Sequence, residues 1–256
     1  MLKLSGVIIT FNEERNIEKC LQSLENVVDE IVVVDSFSTD NTKAICKRYN
    51  VKFVEQNFLG YIEQKNFALS QASYNHIVSL DGDESLSKIL QESILDLKSN
   101  WTFDGYYANR FNNFCGQWIK HSDWYPNKKL RVFDRRKAEW KGINPHDNVQ
   151  LHNTSSNIGH LKGDILHLTY QSYLEFSEKT DYFSTIAAKA YYSSGKRASI
   201  WNLIWNPSWA FFKSYVIRLG ILDGKNGFII CKETGRITYL KYLKLRDLQK
   251  KDKENS

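Results

Sequence analysis

The first hundred residues alternate between two patterns of hydrophobic positions. Residues 4–10 are predicted to form a buried strand, and the continuous apolar run over 31–34 is typical of a strand covered on both faces. Between them, apolar residues recur three or four positions apart, as on one buried helix face, at Ile17, Cys20, Leu21 and Leu24. Asn12 precedes this helix and is placed to cap it. The opening segment is therefore predicted to fold as strand, helix and strand.

The same alternation continues as far as residue 97. The next predicted elements are a helix over 40–48, a strand over 51–54, a helix over 61–72 and a strand over 76–80. A further helix follows, which Ser85 is placed to cap and which has Ile89, Ile94 and Leu97 on one side. Strand and helix thus take turns through the whole segment.

Alternating strands and helices imply right-handed crossovers. The sequence therefore predicts an α/β fold with a mixed, mainly parallel sheet flanked by helices. After residue 100 the pattern changes to alternating aromatic segments, which indicate antiparallel strands, and a helical pattern returns over 172–192. The loops that follow the parallel strands, at residues 10–13, 35–40 and 81–84, should meet at the edge where open α/β sheets bind ligands.

Positive charge is concentrated at the C-terminal end. The chain has 35 Lys and Arg against 29 Asp and Glu, a net charge of +6. Residues 196–256 hold 13 basic and 5 acidic residues, which leaves a net charge of −2 on residues 1–195. A nucleic-acid-binding protein would carry a basic stripe on its folded body, whereas a basic, aromatic tail suits an anionic membrane surface or an acidic partner. We predict no nucleic-acid partner, one domain over 1–192, and a basic, aromatic-rich helical extension over 193–256.

Cysteine usage and hydropathy indicate the compartment. The four cysteines lie at wide, irregular spacings without a CxxC pair, and no secretory signal precedes the first apolar strand. No stretch reaches the roughly 18 to 20 apolar residues that span a bilayer. These features predict a reduced, cytoplasmic protein that can touch the inner face of the cytoplasmic membrane without crossing it.

An acidic cluster ends the fourth predicted strand in the sequence SLDGDESL. Asp81 and Asp83, separated by Gly82 and followed by Glu84, repel one another unless a positive group joins them. A carboxylate pair at positions i and i+2 on such a turn can converge on Mg²⁺ or Mn²⁺, which also accepts water and phosphate oxygens. A solvated turn is the alternative, but the cluster follows a buried strand at the predicted binding edge.

In its motifs the chain resembles the family 2 glycosyltransferases with a GT-A fold, which use nucleotide sugars to build surface polysaccharides. The matching segments are VIITFNEERNIEKCLQSL, EIVVVDSFSTDNT, QKNFAL and VSLDGDE, in that order. The later segments WYPNKKLRVFDRR, NPHDNV and ILHLTYQSYLEFSEKTDYFSTIAAK resemble the branch that assembles the lipopolysaccharide core. The resemblance covers about residues 1–192.

The resemblance implies a donor site and a metal site at the sheet edge. The residues that match the family's nucleotide-sugar-binding positions are Thr10, Asn12 and Glu13 for the nucleoside, Asp35 for the base, and Lys65 and Asp81 for the diphosphate. Asp81 and Asp83 match the pair that binds Mg²⁺ or Mn²⁺. One departure is Phe37, which stands at a turn position often occupied by glycine.

Inverting sugar transfer needs a base for the acceptor hydroxyl and a positive group for the departing diphosphate. Asp147 in the PHD triplet is the candidate base, and His146 would orient it or contact the acceptor. A surface turn at residues 144–145 is the alternative interpretation of this segment, and Asp123 and Glu84 are the reserve candidates for the base.

Two further positions have open interpretations. His167 follows an apolar run, where a histidine either completes the metal site of a GT-A fold or has a structural role. Arg131 alternates with Leu130 and Val132, so it could bind phosphate bidentately or form a salt bridge. The segment WNLIWNPSWAFFKSYVIRLG is typical of an interfacial helix near a lipid-linked acceptor, and equally of a helix that packs on its own domain.

The predicted function is transfer of a sugar from a nucleotide donor, UDP-linked, to a lipid-linked or lipopolysaccharide-core glycan of the cell envelope. A phosphatase that uses D-x-D is a second hypothesis, although that class places the pair after its first strand. A membrane-docked scaffold that kept the fold without turnover is the third.

Overall fold

The computed structural model describes residues 2–143, 146–153 and 157–254, without the side chains of Ile143, His146, Lys253 and Glu254. Contacts within the chain divide it into two compact units. The first comprises Met1–Phe111 and Asn127–Leu168, and the second comprises Asn112–Pro126 and Thr169–Ser256. The predicted domain boundary after residue 192 stays a prediction.

The secondary structure follows the predicted alternation through the first hundred residues. Up to residue 100 the elements are β1 (Leu4–Thr10), α1 (Ile17–Leu24), β2 (Glu30–Asp35), α2 (Thr42–Cys46), β3 (Lys52–Glu55), α3 (Tyr61–Gln71), β4 (His76–Asp81), β5 (Glu84–Leu86) and α4 (Lys88–Leu97). The later strands are β6 (Gly105–Phe114), β7 (Gln117–Trp118), β8 (Lys128–Asp134), β9 (Ala138–Ile143), β10 (His146–Leu151) and β11 (Ile158–Tyr170). The C-terminal helices are α5 (Tyr173–Ser193), α6 (Ile200–Phe212) and α7 (Gly224–Glu254), with a π-helical turn (Lys213–Ile217) and a 3₁₀ turn (Gly220–Asp223) between the last two.

One mixed sheet forms the centre of the first unit. Its strand order is β3-β2-β1-β4-β8-β6-β11-β5, and β7 pairs with β6. The first four strands in this order are parallel, and β8 joins β4 and β6 in antiparallel pairs. Strands β9 and β10 form a separate antiparallel hairpin. The predicted α/β class, with parallel strands joined to antiparallel ones and helices at the C-terminal end, is confirmed.

Helices cover both faces of the parallel strands, which explains their continuous apolar sequences. On one face Ile8 and Val33 pack in a cluster with Leu21 of α1. On the other face, Val7 and Val32 pack in a cluster that includes Leu69 of α3. Because successive strand residues point to opposite faces, a strand buried on both sides is apolar at most positions before its end.

Both predicted helix caps are wrong. Helix α1 begins after Asn16, because Asn12 has φ 54° and its side chain accepts a hydrogen bond from the next loop instead. Ser85 lies within β5, where it pairs with β11, and the side chain of Ser87 caps α4 by accepting a bond from Leu90 N. Leu90 is therefore buried on α4, whereas the predicted core residue at position 89 is 59% exposed.

The second unit contains α5, α6 and α7. Phe114, Ile119 and Ile230 form its buried cluster, against which aromatic side chains such as Trp124 and Phe176 pack. The predicted helix over 172–192 is confirmed as α5, whose N-cap is Ser172. In the part of the chain that the structure describes, no helix is both long enough and apolar enough to cross a membrane.

Candidate active site

The three predicted loops meet at the carboxyl ends of β1, β2 and β4. Ser36 N donates a hydrogen bond to Thr10 O at 3.0 Å, and Gly82 N donates to Ile9 O at 3.0 Å. A Cβ at Gly82 would lie 2.8 Å from Thr10 Oγ1 and 3.2 Å from Glu13 Cγ, so only glycine fits between these side chains. The polar edge predicted from the strand order is thus present.

Asn12 and Asp35 hold the first two loops together. Asn12 Oδ1 accepts a hydrogen bond from Thr39 N at 2.8 Å, and Asn12 N donates to Ser38 Oγ at 2.8 Å. The buried Asp35 accepts hydrogen bonds from both the backbone and the hydroxyl of Ser38. Phe37 has φ 61°, the left-handed conformation expected at a glycine position. Contacts of Asn12 and Asp35 with a nucleoside and its base stay predictions.

Glu13 and Thr10 lie beside Gly82. Glu13 N donates to Thr42 Oγ1 at 2.8 Å, and Glu13 Oε2 accepts from Asn16 Nδ2 at 2.7 Å. Thr10 Oγ1 is buried without a hydrogen-bond partner among the described residues. Burial of an unsatisfied hydroxyl costs free energy, so this oxygen is a candidate for a partner that the described residues do not supply.

Asp81 lies in a cluster of buried ion pairs. Lys65 Nζ approaches Asp81 Oδ1 to 3.1 Å and Asp147 Oδ2 to 2.7 Å. Arg131 Nη2 donates to Asp81 Oδ2 at 3.1 Å and to Glu84 Oε1 at 3.0 Å. The structure therefore brings together four of the predicted site residues from α3, β4, β8 and β10, and it adds Glu84 to them.

The pKa values in this cluster follow from its charges. Burial acts to raise the pKa of Asp81, but the charges of Lys65 and Arg131 outweigh it and hold that pKa well below its usual range. Burial acts to lower the pKa of Arg131, and the carboxylates of Glu84, Asp81 and Asp147 outweigh it and raise that pKa. Asp81 and Arg131 are consequently both charged at neutral pH.

Trp140 supports the two buried cations from the β9–β10 hairpin. Lys65 Nζ lies 4.3 Å and the Arg131 guanidinium carbon 5.0 Å from the centroid of the indole ring. Asn66, next to Lys65 on α3, holds this strand by donating to Trp140 O at 2.9 Å and accepting from Trp140 N at 3.0 Å. Sequence reasoning missed both residues, although the position of Asn66 in the QKNFAL segment was a signal.

Asp83 and His167 form a second polar pair at the edge. Asp83 Oδ2 lies 3.2 Å from His167 Nε2, and Leu168 N donates to Asp83 O at 3.1 Å. This contact follows from the pairing of β5 with β11, which places His167 opposite Glu84. The structure thus brings together two of the residues predicted to bind metal, whereas both oxygens of Asp81 face cations.

The residues present fit a divalent ion that is shared with a ligand. In the described ranges, no group of three or more His, Cys, Asp or Glu side chains has the arrangement of a complete metal site. Mg²⁺ and Mn²⁺ commonly bind one or two protein carboxylates and complete their coordination with phosphate and water. A carboxylate and an imidazole in contact, as in Asp83 and His167, supply oxygen and nitrogen donors of the kind Mn²⁺ accepts.

The other residues predicted as the base or its partner are buried, lie in the second unit or lie outside the described side chains. Glu84 is fully buried between arginines, so it cannot receive a proton from an acceptor in this arrangement. Asp123 belongs to the second unit, where its carboxylate pairs with Arg218 at 3.0 Å. The side chain of His146 lies outside the described residues, and its role beside Asp147 stays a prediction.

An exposed apolar stripe runs along the second unit. Its members, spaced three or four residues apart on α6 and the π-helical turn, are between 46% and 68% exposed and are Trp201, Trp205, Trp209, Phe212 and Val216. We call this stripe the aromatic face. Between residues 194 and 232 all six basic side chains are exposed, and the acidic residue, Asp223, is buried against His121.

Comparison with known proteins identifies the family. The model of Glycosyl transferase family 2 matches residues 5–153. An uncharacterized glycosyltransferase of Rickettsia felis is 31% identical over 99% of this chain and 93% of its own length. The lipopolysaccharide core biosynthesis glycosyltransferase LpsC of Rhizobium meliloti is 33% identical over 89% of this chain and 86% of its own. A crystal structure of glucosyl-3-phosphoglycerate synthase from Mycobacterium tuberculosis, with Mn²⁺, UDP and glucosyl-3-phosphoglycerate, has a TM-score of 0.37 at 22% identity over 44% of each chain. The chain belongs to glycosyltransferase family 2.

Proposed function

We propose that this glycosyltransferase moves a sugar from a UDP-linked donor to a lipid-linked or lipopolysaccharide-core glycan, in a metal-dependent reaction that inverts the anomeric carbon. The position of Asp147 carries the proposal, because this carboxylate shares Lys65 as a partner with Asp81 at the end of β4. The name of the Rhizobium relative supports a lipopolysaccharide-core acceptor.

On the donor side, buried positive charge and an unpartnered loop hydroxyl support nucleotide-sugar binding. Lys65 and Arg131 are both almost fully buried at the edge, where a diphosphate would replace or join the carboxylate of Asp81 as their partner. Thr10 Oγ1 and the loop held by Asn12 lie at the same edge, in the position proposed for the nucleoside. We assign this part of the site to the donor.

On the metal side, Asp83 and His167 would hold Mg²⁺ or Mn²⁺. Asp81 lies at the same edge of the sheet and is the proposed additional carboxylate ligand. When bound, the ion supplies positive charge that stabilises the departing diphosphate. The protein contributes the rest of that charge through Lys65 and Arg131, so loss of either cation should slow departure of the leaving group.

On the acceptor side, Asp147 is the proposed base. Its Oδ2 accepts the bond from Lys65 at 2.7 Å, which fixes the orientation of the carboxylate. In-line attack then requires the acceptor hydroxyl to transfer its proton to Asp147 while the oxygen bonds to the anomeric carbon and the diphosphate leaves from the opposite side. A nucleophile that attacks opposite the leaving group inverts the configuration.

The test uses Asp147→Asn and Asp83→Asn with a panel of nucleotide sugars. Asp147→Asn should lower kcat by at least about 100-fold while donor affinity is retained, since a positioned base contributes about 10² to 10⁴ in rate. Asp83→Asn should weaken the Mn²⁺-dependent part of UDP binding measured by calorimetry. Asp96→Asn, an exposed change of the same chemistry on α4, is the matched control. An unchanged kcat for Asp147→Asn refutes the base, and absence of nucleotide-sugar binding by the wild type favours a non-catalytic scaffold.

We also propose that the aromatic face docks on an anionic membrane surface, where a lipid-linked acceptor would lie. Tryptophan and phenylalanine bury their rings at the boundary between head groups and acyl chains, and basic residues beside them attract anionic lipids. The exposed basic residues around the face, with the acidic one buried, supply the complementary charge.

Vesicle sedimentation tests the docking surface. Trp205→Ser with Trp209→Ser should reduce binding to vesicles that contain phosphatidylglycerol at least about tenfold, because each change removes an indole that would be buried. Leu174→Ser, at a 70% exposed apolar position on α5, is the control. Equal binding by the double variant, or equal binding of the wild type to purely zwitterionic vesicles, contradicts this proposal.

A further inference from the structure

Two arginines of β6 and β8 face Glu84, and Lys129 lies on β8 two residues before one of them. Arg131 Nη2 lies 3.0 Å and Arg110 Nη1 lies 3.6 Å from Glu84 Oε1. Arg110 N donates to Asn127 O at 2.7 Å, and Lys129 pairs with Ala108, so neighbouring backbone bonds fix the strands that carry them. Neither Arg110 nor Lys129 has a role in the donor, metal or base positions described above.

Several donors in this group have no acceptor. Nε of Arg110, and both Nε and Nη1 of Arg131, are buried without a hydrogen-bond partner among the described residues. A buried donor that lacks a partner costs free energy, and more when the group is charged, so such atoms call for an explanation. Each of these N–H groups can donate a charge-assisted hydrogen bond to an oxygen of an anion.

The charges in the group are also unbalanced. The buried or half-buried cations are Lys65, Arg110, Lys129 and Arg131, and the carboxylates that face them are Asp81, Glu84 and Asp147. Burial lowers the pKa of Lys129, and the charges of Arg110 and Arg131 lower it further. An added anion beside Arg110 and Lys129 would relieve this repulsion.

The geometry points to an anion-binding subsite formed by Arg110 and Lys129 together with Arg131, which takes a phosphate or carboxylate group of a substrate. The inference rests on the proposed transfer from a nucleotide sugar. The anion has two sources with the same chemistry, the diphosphate of the donor or an acidic group on the acceptor glycan. In both cases Arg110 and Lys129 are binding residues that the motifs of the sequence did not indicate.

Direct anion binding tests the subsite without turnover. Calorimetry with inorganic pyrophosphate and inorganic phosphate, at ionic strength matched with NaCl, compares wild type with Lys129→Met and Arg110→Gln. Each variant should raise Kd for pyrophosphate about tenfold, since a hydrogen bond to a charged group contributes about 1.5 to 3 kcal/mol. Lys128→Met is the matched control, because it removes the same charge from the exposed neighbouring position in β8.

Three results would overturn the inference. They are a wild type that binds neither anion more tightly than chloride, variants with unchanged Kd, and an equal loss in Lys128→Met. Thermal unfolding without ligand shows whether each variant is folded. If Arg110→Gln is unfolded, Arg110→Lys replaces it, since this change keeps the charge and removes the unpartnered Nε donor.

Saturating UDP distinguishes the two sources. If UDP prevents anion binding, and Lys129→Met weakens UDP as well, the subsite serves the donor. If phosphate binds beside UDP with its dependence on Lys129 intact, the subsite serves the acceptor. The proposed function is tested separately, because a wild type that binds no nucleotide sugar refutes it. If Lys129→Met and Arg110→Gln change neither UDP binding nor anion binding, only the subsite is refuted.

Discussion

Removing the charge of Glu84 should destabilise the first unit substantially. Glu84 is buried, accepts from Arg131 at 3.0 Å through Oε1, and accepts from Asp81 N at 3.1 Å through Oε2. In Glu84→Gln one of these two oxygens becomes an amide group, so a donor faces a donor whichever way the side chain is turned. Arg131 then retains only Asp81 as a partner among the described carboxylates that hydrogen-bond to it.

The expected loss follows from the burial of this pair. Breaking a buried ion pair by changing one partner costs about 3 to 5 kcal/mol. The remaining bond to Asp81 places Glu84→Gln at the lower end, about 3 kcal/mol. For a chain of this size each kcal/mol lowers Tm by about 2 to 4 °C, so we expect a Tm about 6 to 12 °C lower.

Thermal unfolding followed by circular dichroism measures this effect at 0.1 M and 1 M NaCl. A buried pair is screened little by salt, so the difference in Tm should persist at high salt. Glu92→Gln, an exposed change on α4, is the control. A Tm within about 2 °C of wild type, where a loss of several degrees is expected, would show that Glu84 does not stabilise the buried cations.

Three further changes test other parts of the first unit. Gly82→Ala places a methyl group 2.8 Å from Thr10 Oγ1, so it should cost about 1 to 3 kcal/mol of unfolding free energy in urea denaturation; no loss would contradict the close packing. Phe37→Gly should be more stable than Phe37→Ala by about 1 kcal/mol, because φ 61° strains any residue with a Cβ. Equal urea midpoints for the two variants would contradict this backbone strain. Glu30→Gln should lose stability at pH 7 but much less at pH 3. Burial acts to raise the pKa of Glu30, but hydrogen bonds from Ser5 and Ser73 outweigh it and lower that pKa. The stabilisation that the Glu30 carboxylate gives the fold is therefore present above the ordinary Glu pKa and is lost as pH falls through the lowered pKa. A pH-independent difference in urea midpoint would refute the assignment.

The sequence predicted the parallel half of the fold well because its strands are covered on both faces. Runs such as residues 31–34 leave no other environment for so many adjacent apolar side chains, and β2 formed there. Helix ends were harder to predict. Asn12 and Ser85 are ordinary capping residues, but long-range bonds to Thr39 and to β11 determine their positions, and no local pattern encodes those partners.

The site was predictable where residues follow a strand and less so where charges pair across the fold. The loops at Thr10, Asp35 and Asp81 meet as the strand order requires. The contact of Lys65 with Asp147 joins residues 82 positions apart, and the resemblance indicated both residues without indicating that they touch. The sequence makes Glu84 only a reserve candidate for the base, because its burial between arginines depends on the pairing of β8 with β4 and β6.

The two hydrogen bonds between Asn66 and Trp140 affect how the site can vary among related chains. The β9–β10 hairpin carries both Trp140 and the proposed base, and Asn66 attaches it to the helix that provides Lys65. Since the hairpin is separate from the main sheet, its length and outer residues can change without altering any strand register beneath the donor loops. Related chains could therefore differ in the length of this hairpin while the two hydrogen bonds of Asn66 keep the proposed base beside Lys65.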